Sequence, residues 1–186
     1  MAKLKKGLVH IYTGKGKGKT TASLGIALRA VSSGLKVCMF QFLKKRGTSS
    51  EGWLEFPNFS IVCLNQEHPM FSQHRDEPAV KRRISRLSKQ LAEKIKKDLV
   101  KIKRVMRTGK YDVIILDEIL NCVSERFVEE AEVLRILKAR PAALELVLTG
   151  RGATSRLVAA SDYVTKLAKV KHPFDRGQGA RKGIEY

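Results

Sequence analysis

A glycine- and lysine-rich segment at positions 13–21, Thr-Gly-Lys-Gly-Lys-Gly-Lys-Thr-Thr, is the part of the sequence best suited to chemistry. Its glycines allow successive backbone N–H groups to turn inward and bind phosphate oxygens, and the start of the helix that follows adds partial positive charge. Lys19 can neutralise phosphate charge, and the Thr20 hydroxyl can bind Mg²⁺. The Walker A pattern has Gly at the position of Thr13, so the segment departs from that pattern at its first residue. The candidate phosphate-binding residues are Gly14, Lys15, Gly16, Lys17, Gly18, Lys19, Thr20 and Thr21.

Two carboxylates farther along the chain supply the complementary part of such a site. Asp117 and Glu118 follow an apolar run, Ile114–Leu116, that is typical of a buried parallel strand. A carboxylate at the carboxyl end of a buried strand is suited to hold Mg²⁺ beside a nucleotide; alternatively, Asp117 caps the N-terminus of a helix. Together the two motifs predict a nucleoside triphosphate site with Thr20, Asp117 and Glu118 as candidate metal ligands. They leave the reaction open.

Alternating strands and helices must position these residues. The predicted strands are Val9–Tyr12, Lys36–Phe42, Ser60–Leu64, Tyr111–Leu116, Leu144–Thr149 and Tyr163–Val170. The predicted helices are Lys19–Ser33, Ala79–Thr108, Val128–Lys138 and a short one after Gly152. This order predicts an α/β fold resembling P-loop NTPases, with a mostly parallel sheet flanked by helices. Ligands bind such sheets at the carboxyl ends of the strands. We expect one ATP-binding domain over residues 1–186, with a basic N-terminal tail at residues 1–6.

The charge of the chain points to an anionic partner. The 186 residues include 37 Lys/Arg and 18 Asp/Glu, a net charge of +19, and residues 75–110 alone hold fourteen Lys/Arg against four acids. A nucleic-acid-dependent P-loop ATPase is therefore an alternative function, although an aromatic content of 6% offers no obvious stacking platform. A small-molecule kinase is a third possibility, without a clear acceptor site. The apolar stripe of the predicted basic helix is expected to be core: Ile84, Leu87, Leu91, Ile95, Leu99, Ile102 and Met106.

The location of the protein is predicted from what surrounds these motifs. No apolar run is long enough to cross a membrane, and the basic N-terminus does not lead into a signal-peptide pattern. Three cysteines, Cys38, Cys63 and Cys122, stand singly in apolar stretches and are expected to be buried thiols. We therefore predict a cytoplasmic protein without a membrane partner.

Two further motifs narrow the choice of reaction. Leu148-Thr149-Gly150-Arg151-Gly152 follows an apolar strand. The tail contains Val170-Lys171-His172-Pro173-Phe174-Asp175-Arg176-Gly177 and ends Lys182-Gly183-Ile184-Glu185-Tyr186. With the two earlier motifs, in this order, the chain resembles the P-loop type of ATP:cob(I)alamin (corrinoid) adenosyltransferase. The resemblance runs from about Gly7 to Tyr186 and is weakest over residues 43–110.

The resemblance implies a reaction and a set of roles. The family transfers the 5′-deoxyadenosyl group of ATP to the cobalt of a reduced corrinoid and releases triphosphate. By resemblance, residues 14–21 hold the triphosphate, and Lys19 and Arg151 are catalytic. The Mg²⁺ ion that binds with ATP is held by the carboxylates Asp117 and Glu118. Phe71 lies in the loop where the family places aromatic residues against the corrin. Since Co(I) is itself a strong nucleophile, the lack of an obvious nucleophile–base pair in the sequence is expected.

The resemblance also implies partners. Under this resemblance, nucleic acid is not expected to be a partner. An acidic flavoprotein that reduces the corrinoid is expected to dock on the basic helix within residues 75–110, and a homodimer is the family's common state. His172 is predicted to orient the tail through a hydrogen bond rather than to act in catalysis.

Overall fold

Six parallel strands form one sheet in the computed structural model, which describes residues 4–45, 47, 54–66, 68 and 78–184. The strands are β1 (Val9–Thr13), β2 (Val37–Gln41), β3 (Phe59–Cys63), β4 (Val113–Asp117), β5 (Glu145–Thr149) and β6 (Tyr163–Lys166). Their order across the sheet is β3-β2-β4-β5-β1-β6, and each pair of neighbours is parallel. The predicted α/β fold with a parallel sheet is therefore confirmed.

Helices cover both faces of this sheet. They are α1 (Lys19–Ser32), α2 (Pro78–Arg107), α3 (Ile119–Ser124), α4 (Glu130–Ala139) and α5 (Ser155–Ala159), followed by a 3₁₀ turn at Pro173–Arg176. Ala27 and Ala30 of α1 pack on one face, against Met39 and Ile115 among others. The apolar sides of the other four helices pack on the opposite face in a second, larger core. Within the described ranges, no helix has the length and apolar character needed to span a membrane.

The alternation of each strand decides which face its side chains join. Cys38, Phe40 and Leu116 belong to the larger core, whereas Met39 and Ile115 belong to the core under α1. This is the period of two that a strand buried on both sides imposes. Each fully buried Leu or Ile contributes roughly 1.5–3 kcal/mol relative to an exposed one.

The apolar stripe of α2 is core over only part of its length. Leu91, Ile95, Leu99, Ile102 and Met106 are buried in the larger core, as predicted. Leu87, however, is 36% exposed, so its assignment to the core is wrong. The 30 residues of α2 span about 45 Å at 1.5 Å each, whereas five-residue strands span about 17 Å. The helix is longer than the sheet it covers, and its first turns extend past the core.

The structure adds one helix to the sequence prediction and shortens the last predicted strand by four residues. The helix α3 was not predicted, because six residues are too few to display a helical period. The last strand was predicted to reach Val170 but ends at Lys166. Beyond it, the amide of Leu167 still donates to Thr13 at the end of β1, but its carbonyl accepts from Gly16 in the loop after β1.

Candidate active site

The loop that joins β1 to α1 folds with its glycines in conformations that other residues rarely adopt. Gly14 has φ 109° and Gly18 has φ 104°, and Gly18 directly precedes the first helical residue, Lys19. No side chain of the described residues caps the N-terminus of α1. The first amides of the helix are therefore available to an anion, as the phosphate-binding prediction requires.

The segment after β6 holds this loop in place. The amide of Leu167 donates to the carbonyl of Thr13 at 2.7 Å, and the carbonyl of Leu167 accepts from the amide of Gly16 at 2.9 Å. A Cβ on Gly14 would lie 2.3 Å from the Leu167 carbonyl oxygen, and one on Gly16 would lie 2.6 Å from that of Ala168. Only glycine therefore fits at either position. The sequence analysis missed this contact, because it joins segments about 150 residues apart.

The three loop lysines occupy different environments. Lys15 and Lys17 are exposed, whereas Lys19 is buried and its Nζ donates to the carbonyl of Gly16 at 2.8 Å. Burial lowers the pKa of Lys19, and the positive charge of Arg151 adds to that shift, while the carboxylates Glu118 and Asp117 oppose it. An anion placed at the loop would relieve this penalty, so Lys19 is suited to a phosphate group.

Asp117 connects the loop to the neighbouring strands. It is fully buried at the end of β4. Its Oδ1 accepts from the hydroxyl of Thr20 at 2.9 Å and from that of Thr149 at 2.7 Å. The structure therefore joins the two separate motifs, Thr20 and Asp117, by a direct hydrogen bond. Asp117 is not a helix cap, since the residue at the N-cap of α3 is Glu118.

Lys44 was not identified from the sequence, although it belongs to this cluster. Its Nζ lies 3.0 Å from Oδ2 of Asp117, an ion-pair distance. The same Oδ2 is buried and accepts no aligned hydrogen bond from any described residue, so the contact is one of charge rather than of directed bonding. Lys44 follows β2 by three residues. The one signal that could have indicated its role is that Lys44 follows the end of β2, a strand next to β4. That neighbour relation is known only from the strand order of the sheet.

Glu118 has an unusual backbone and a perturbed side chain. Its φ of 68° lies in the left-handed region, and its amide donates to the hydroxyl of Thr149 at 2.9 Å. Burial raises the pKa of Glu118, and the charge of Asp117 raises it further, whereas Lys44, Lys19 and Arg151 lower it. Strained backbone and a raised acid pKa at a strand end are typical of functional sites.

The oxygen donors of this cluster fit Mg²⁺. Mg²⁺ prefers oxygen ligands and binds through one or two carboxylates together with substrate phosphates. Thr20, Asp117 and Glu118 supply a hydroxyl and two carboxylates, and Asp117 Oδ2 is a buried acceptor that receives no aligned hydrogen bond from any residue in the described ranges. Among the described residues, no group of three or more His, Cys, Asp or Glu is arranged as a metal cage. The site suits an ion that arrives with a nucleotide.

Arg151 is presented by a tight turn after β5. Its backbone N–H donates to Oδ1 of Asn121. Gly150 has φ 134°, and a Cβ there would lie 2.8 Å from the amide of Asn121. The guanidinium group is exposed, and its charge acts on the pKa values of both Lys19 and Glu118. Asn121 fixes this turn, and it was missed because it lies on the unpredicted helix α3.

Two sequence predictions concern residues away from the cluster. Phe71 lies outside the described residues, so its assignment to the corrin stays a prediction. Nδ1 of His172 accepts from the amide of Phe174 at 3.2 Å and caps the 3₁₀ turn. This bond agrees with the predicted orienting role of His172.

The chain is similar over nearly its whole length to proteins of one family. A family model described as ATP:corrinoid adenosyltransferase BtuR/CobO/CobP matches residues 5–186. A protein of Sinorhizobium sp. named corrinoid adenosyltransferase is 33% identical, over 97% of this chain and 81% of the relative. Its namesake in Escherichia coli K12 is 30% identical, over 97% of this chain and 86% of the relative. Corrinoid adenosyltransferase CobA of Salmonella typhimurium LT2 is 30% identical, over 100% of this chain and 88% of the relative.

Proposed function

The chain belongs to the ATP:corrinoid adenosyltransferase family, and from that membership we propose how its own residues divide the work. The protein is a transferase that moves the 5′-deoxyadenosyl group of ATP to the cobalt of a reduced corrinoid. In this step a cobalt–carbon bond forms while the bond from C5′ to the triphosphate oxygen breaks. The bonding pair of the broken bond leaves with triphosphate, and the electron pair of the new bond comes from Co(I).

The protein's main task in such a step is to stabilise the leaving group. The substrate supplies the nucleophile, so no side chain has to be activated as one. Negative charge grows on the triphosphate as it departs, and preorganised donors aimed at that charge lower the barrier. We assign this role to the amides of residues 14–21, to Lys19 and to Arg151. The observation that supports the assignment is the hydrogen bond of 2.9 Å from the Thr20 hydroxyl to Asp117, which connects the loop directly to one of the carboxylates.

Bound Mg²⁺ would supply further neutralisation of the triphosphate, with Thr20, Asp117 and Glu118 holding it. Burial is the main reason that the pKa of Glu118 is raised, and the charge of Asp117 adds to it; that neighbouring negative charge, which would also attract a cation, supports this role. Lys44, whose Nζ lies 3.0 Å from Oδ2 of Asp117, neutralises part of the charge of that carboxylate.

Exchange of one carboxylate tests this assignment. Asp117→Asn removes a charge while keeping the size of the side chain, and we expect nucleotide-dependent binding of Mn²⁺ to weaken roughly 10- to 100-fold. Asp112→Asn is the matched control at the opposite end of β4, where Oδ2 accepts from the amide of Lys36 at 2.8 Å. Equal metal affinity in the two variants would contradict the assignment.

The basic surface of α2 supports a second part of the proposal, an acidic flavoprotein as electron donor. The exposed cations of α2 are Lys81, Arg82, Arg83, Arg86, Lys89, Lys94, Lys96, Lys97, Lys101, Arg104 and Arg107. Arg82, Arg86 and Lys89 share one side of the helix by their spacing. Opposite charges on two proteins speed their encounter, and the effect falls with salt.

Charge reversal separates docking from chemistry. We expect reversal of Arg82, Arg86 and Lys89 to Glu to slow turnover driven by a reduced flavoprotein and to leave turnover driven by a chemical reductant unchanged. Reversal of the exposed Lys138 on α4 serves as control. Equal slowing with both reductants would reject the docking role. A homodimer and a cytoplasmic location stay predictions, the first to be tested by light scattering after gel filtration.

A further inference from the structure

Gln41 is a buried amide without partners. Its side chain is 1% exposed, and neither its Oε1 nor its Nε2 has a hydrogen-bond partner among the described residues. Burying an amide in this way is unfavourable, and native proteins seldom leave one unpaired. A buried polar group without a partner calls for an explanation, such as a ligand or water that completes it.

The fold places this amide at the site. Gln41 is the last residue of β2 and is aligned in register with Asp117 of β4. Side chains in register on parallel neighbours point to the same face of a sheet. Gln41 also lies two residues after Met39, on the same face of the strand, and Met39 packs in the core under α1. The amide is therefore on the α1 side, at the carboxyl edge, next to Asp117, whose Oδ2 lies 3.0 Å from Nζ of Lys44 and accepts no aligned hydrogen bond from the described part of the chain.

Another buried glutamine, which supports the fold, has hydrogen-bond partners at both ends of its amide. Gln66 is also 1% exposed. Its Nε2 donates to Oδ2 of Asp98 at 3.0 Å, and its Oε1 accepts from the amide of Leu43 at 3.2 Å. Both ends of Gln66 are thus used in tying the loop after β2 to α2. Gln41 is equally buried and has neither bond, so structural support does not account for it.

We propose that Gln41 is a positioning residue for the metal–triphosphate group, holding a water molecule of the ion's hydration shell beside Asp117. The inference rests on the proposed function. Mg²⁺ retains several waters in sites of this kind, and an amide offers such a water both a donor and an acceptor without changing the charge of the site. Groups that orient a metal's ligands from the second layer typically affect metal affinity 10- to 100-fold.

Gln41→Met tests the inference, because it keeps the length of the side chain and removes both polar atoms. We expect the affinity for Mn²⁺·ATP, followed by the electron paramagnetic resonance of free Mn²⁺, to fall roughly 10- to 100-fold. The affinity for ATP in EDTA should be unchanged. The Tm of the ligand-free variant should be no lower than that of the wild type, since no hydrogen bond is lost. Gln90→Met on the exposed side of α2 is the matched control and should alter none of these values.

Several results would overturn the inference. They are unchanged Mn²⁺·ATP affinity, an equal loss of affinity with and without metal, or a Tm lowered in both Gln41→Met and Gln41→Leu. The last would mean that the amide serves the fold. Wild-type protein is assayed alongside for adenosylation of a corrinoid. If the wild type adenosylates the corrinoid and Gln41→Met keeps its Mn²⁺·ATP affinity, only the role of Gln41 is refuted. If the wild type does not adenosylate the corrinoid, the proposed function is refuted.

Discussion

Replacing Lys19 with alanine should separate catalysis from stability. Nζ of Lys19 donates one hydrogen bond within the described part of the chain, 2.8 Å to the carbonyl of Gly16. A hydrogen bond to a charged group contributes about 1.5–3 kcal/mol, but burial lowers the pKa of Lys19 and so opposes the charged form. The two effects offset each other. At roughly 2–4 °C per kcal/mol for a chain of this size, the Tm should move by no more than about 3 °C.

The loss of activity should be much larger. In the reaction, the ammonium group faces a triphosphate whose charge grows as it leaves, and removing one preorganised donor of this kind typically lowers kcat by about 10²–10³. The assay supplies MgATP and chemically reduced cob(I)alamin and follows the light-sensitive adenosylated product. Lys138→Ala, an exposed lysine on α4, is the control. A Lys19→Ala protein that is folded and within threefold of wild-type activity would refute the role of Lys19.

Three predictions concern the rest of the molecule. The hydrogen bond from Lys103 is the main reason that the pKa of Glu132 is lowered, so at pH values above its ordinary pKa this carboxylate should contribute up to about 1 kcal/mol to the free energy of unfolding. That contribution should be lost as the pH falls through the lowered pKa. In urea unfolding, Glu132→Gln should therefore equal wild type in strong acid and have a lower free energy of unfolding at pH 7, and a difference that does not change with pH would contradict this. Cys63 is the one cysteine of three that is not buried, and burial raises the pKa of the other two, Cys38 and Cys122. A disulfide reagent should therefore modify one thiol in the native protein. Rapid reaction of all three thiols would contradict the burial of Cys38 and Cys122. Ile95→Ala should lower the free energy of unfolding by about 2–5 kcal/mol, the usual range for a buried core residue. Leu87→Ala should lower it by far less, because Leu87 is partly exposed. Equal losses of unfolding free energy in the two variants would contradict the partial burial of α2.

The sequence was sufficient to predict the parts of the site that are local in the chain. The order strand, glycine-rich turn, helix located residues 14–21, and the apolar run before Asp117 located the carboxylates. Both patterns work because the backbone conformation and the chemistry are set by neighbouring residues. The parallel sheet followed from the same alternation, since parallel strands need helical crossovers.

The remainder of the site depends on contacts between distant segments. Lys44 and Gln41 join it because β2 lies beside β4, and the strand order is not written in any local pattern. The carbonyl of Leu167 bonds Gly16 in the loop after β1, although the residues around Leu167 continue the apolar alternation of a strand. Asn121 acts from a helix that is too short to show a period. In each case tertiary contacts, rather than local preference, decide the role of the residue.

Analysis of the phosphate product tests the central claim most directly. Wild-type protein is incubated with MgATP and chemically reduced cob(I)alamin, and the phosphates are identified by phosphorus NMR while the corrinoid is followed by its absorption spectrum. The proposed mechanism predicts one triphosphate for each adenosylated corrinoid, because the bond at C5′ is the one that breaks. ADP and orthophosphate without alkylated cobalt would contradict it.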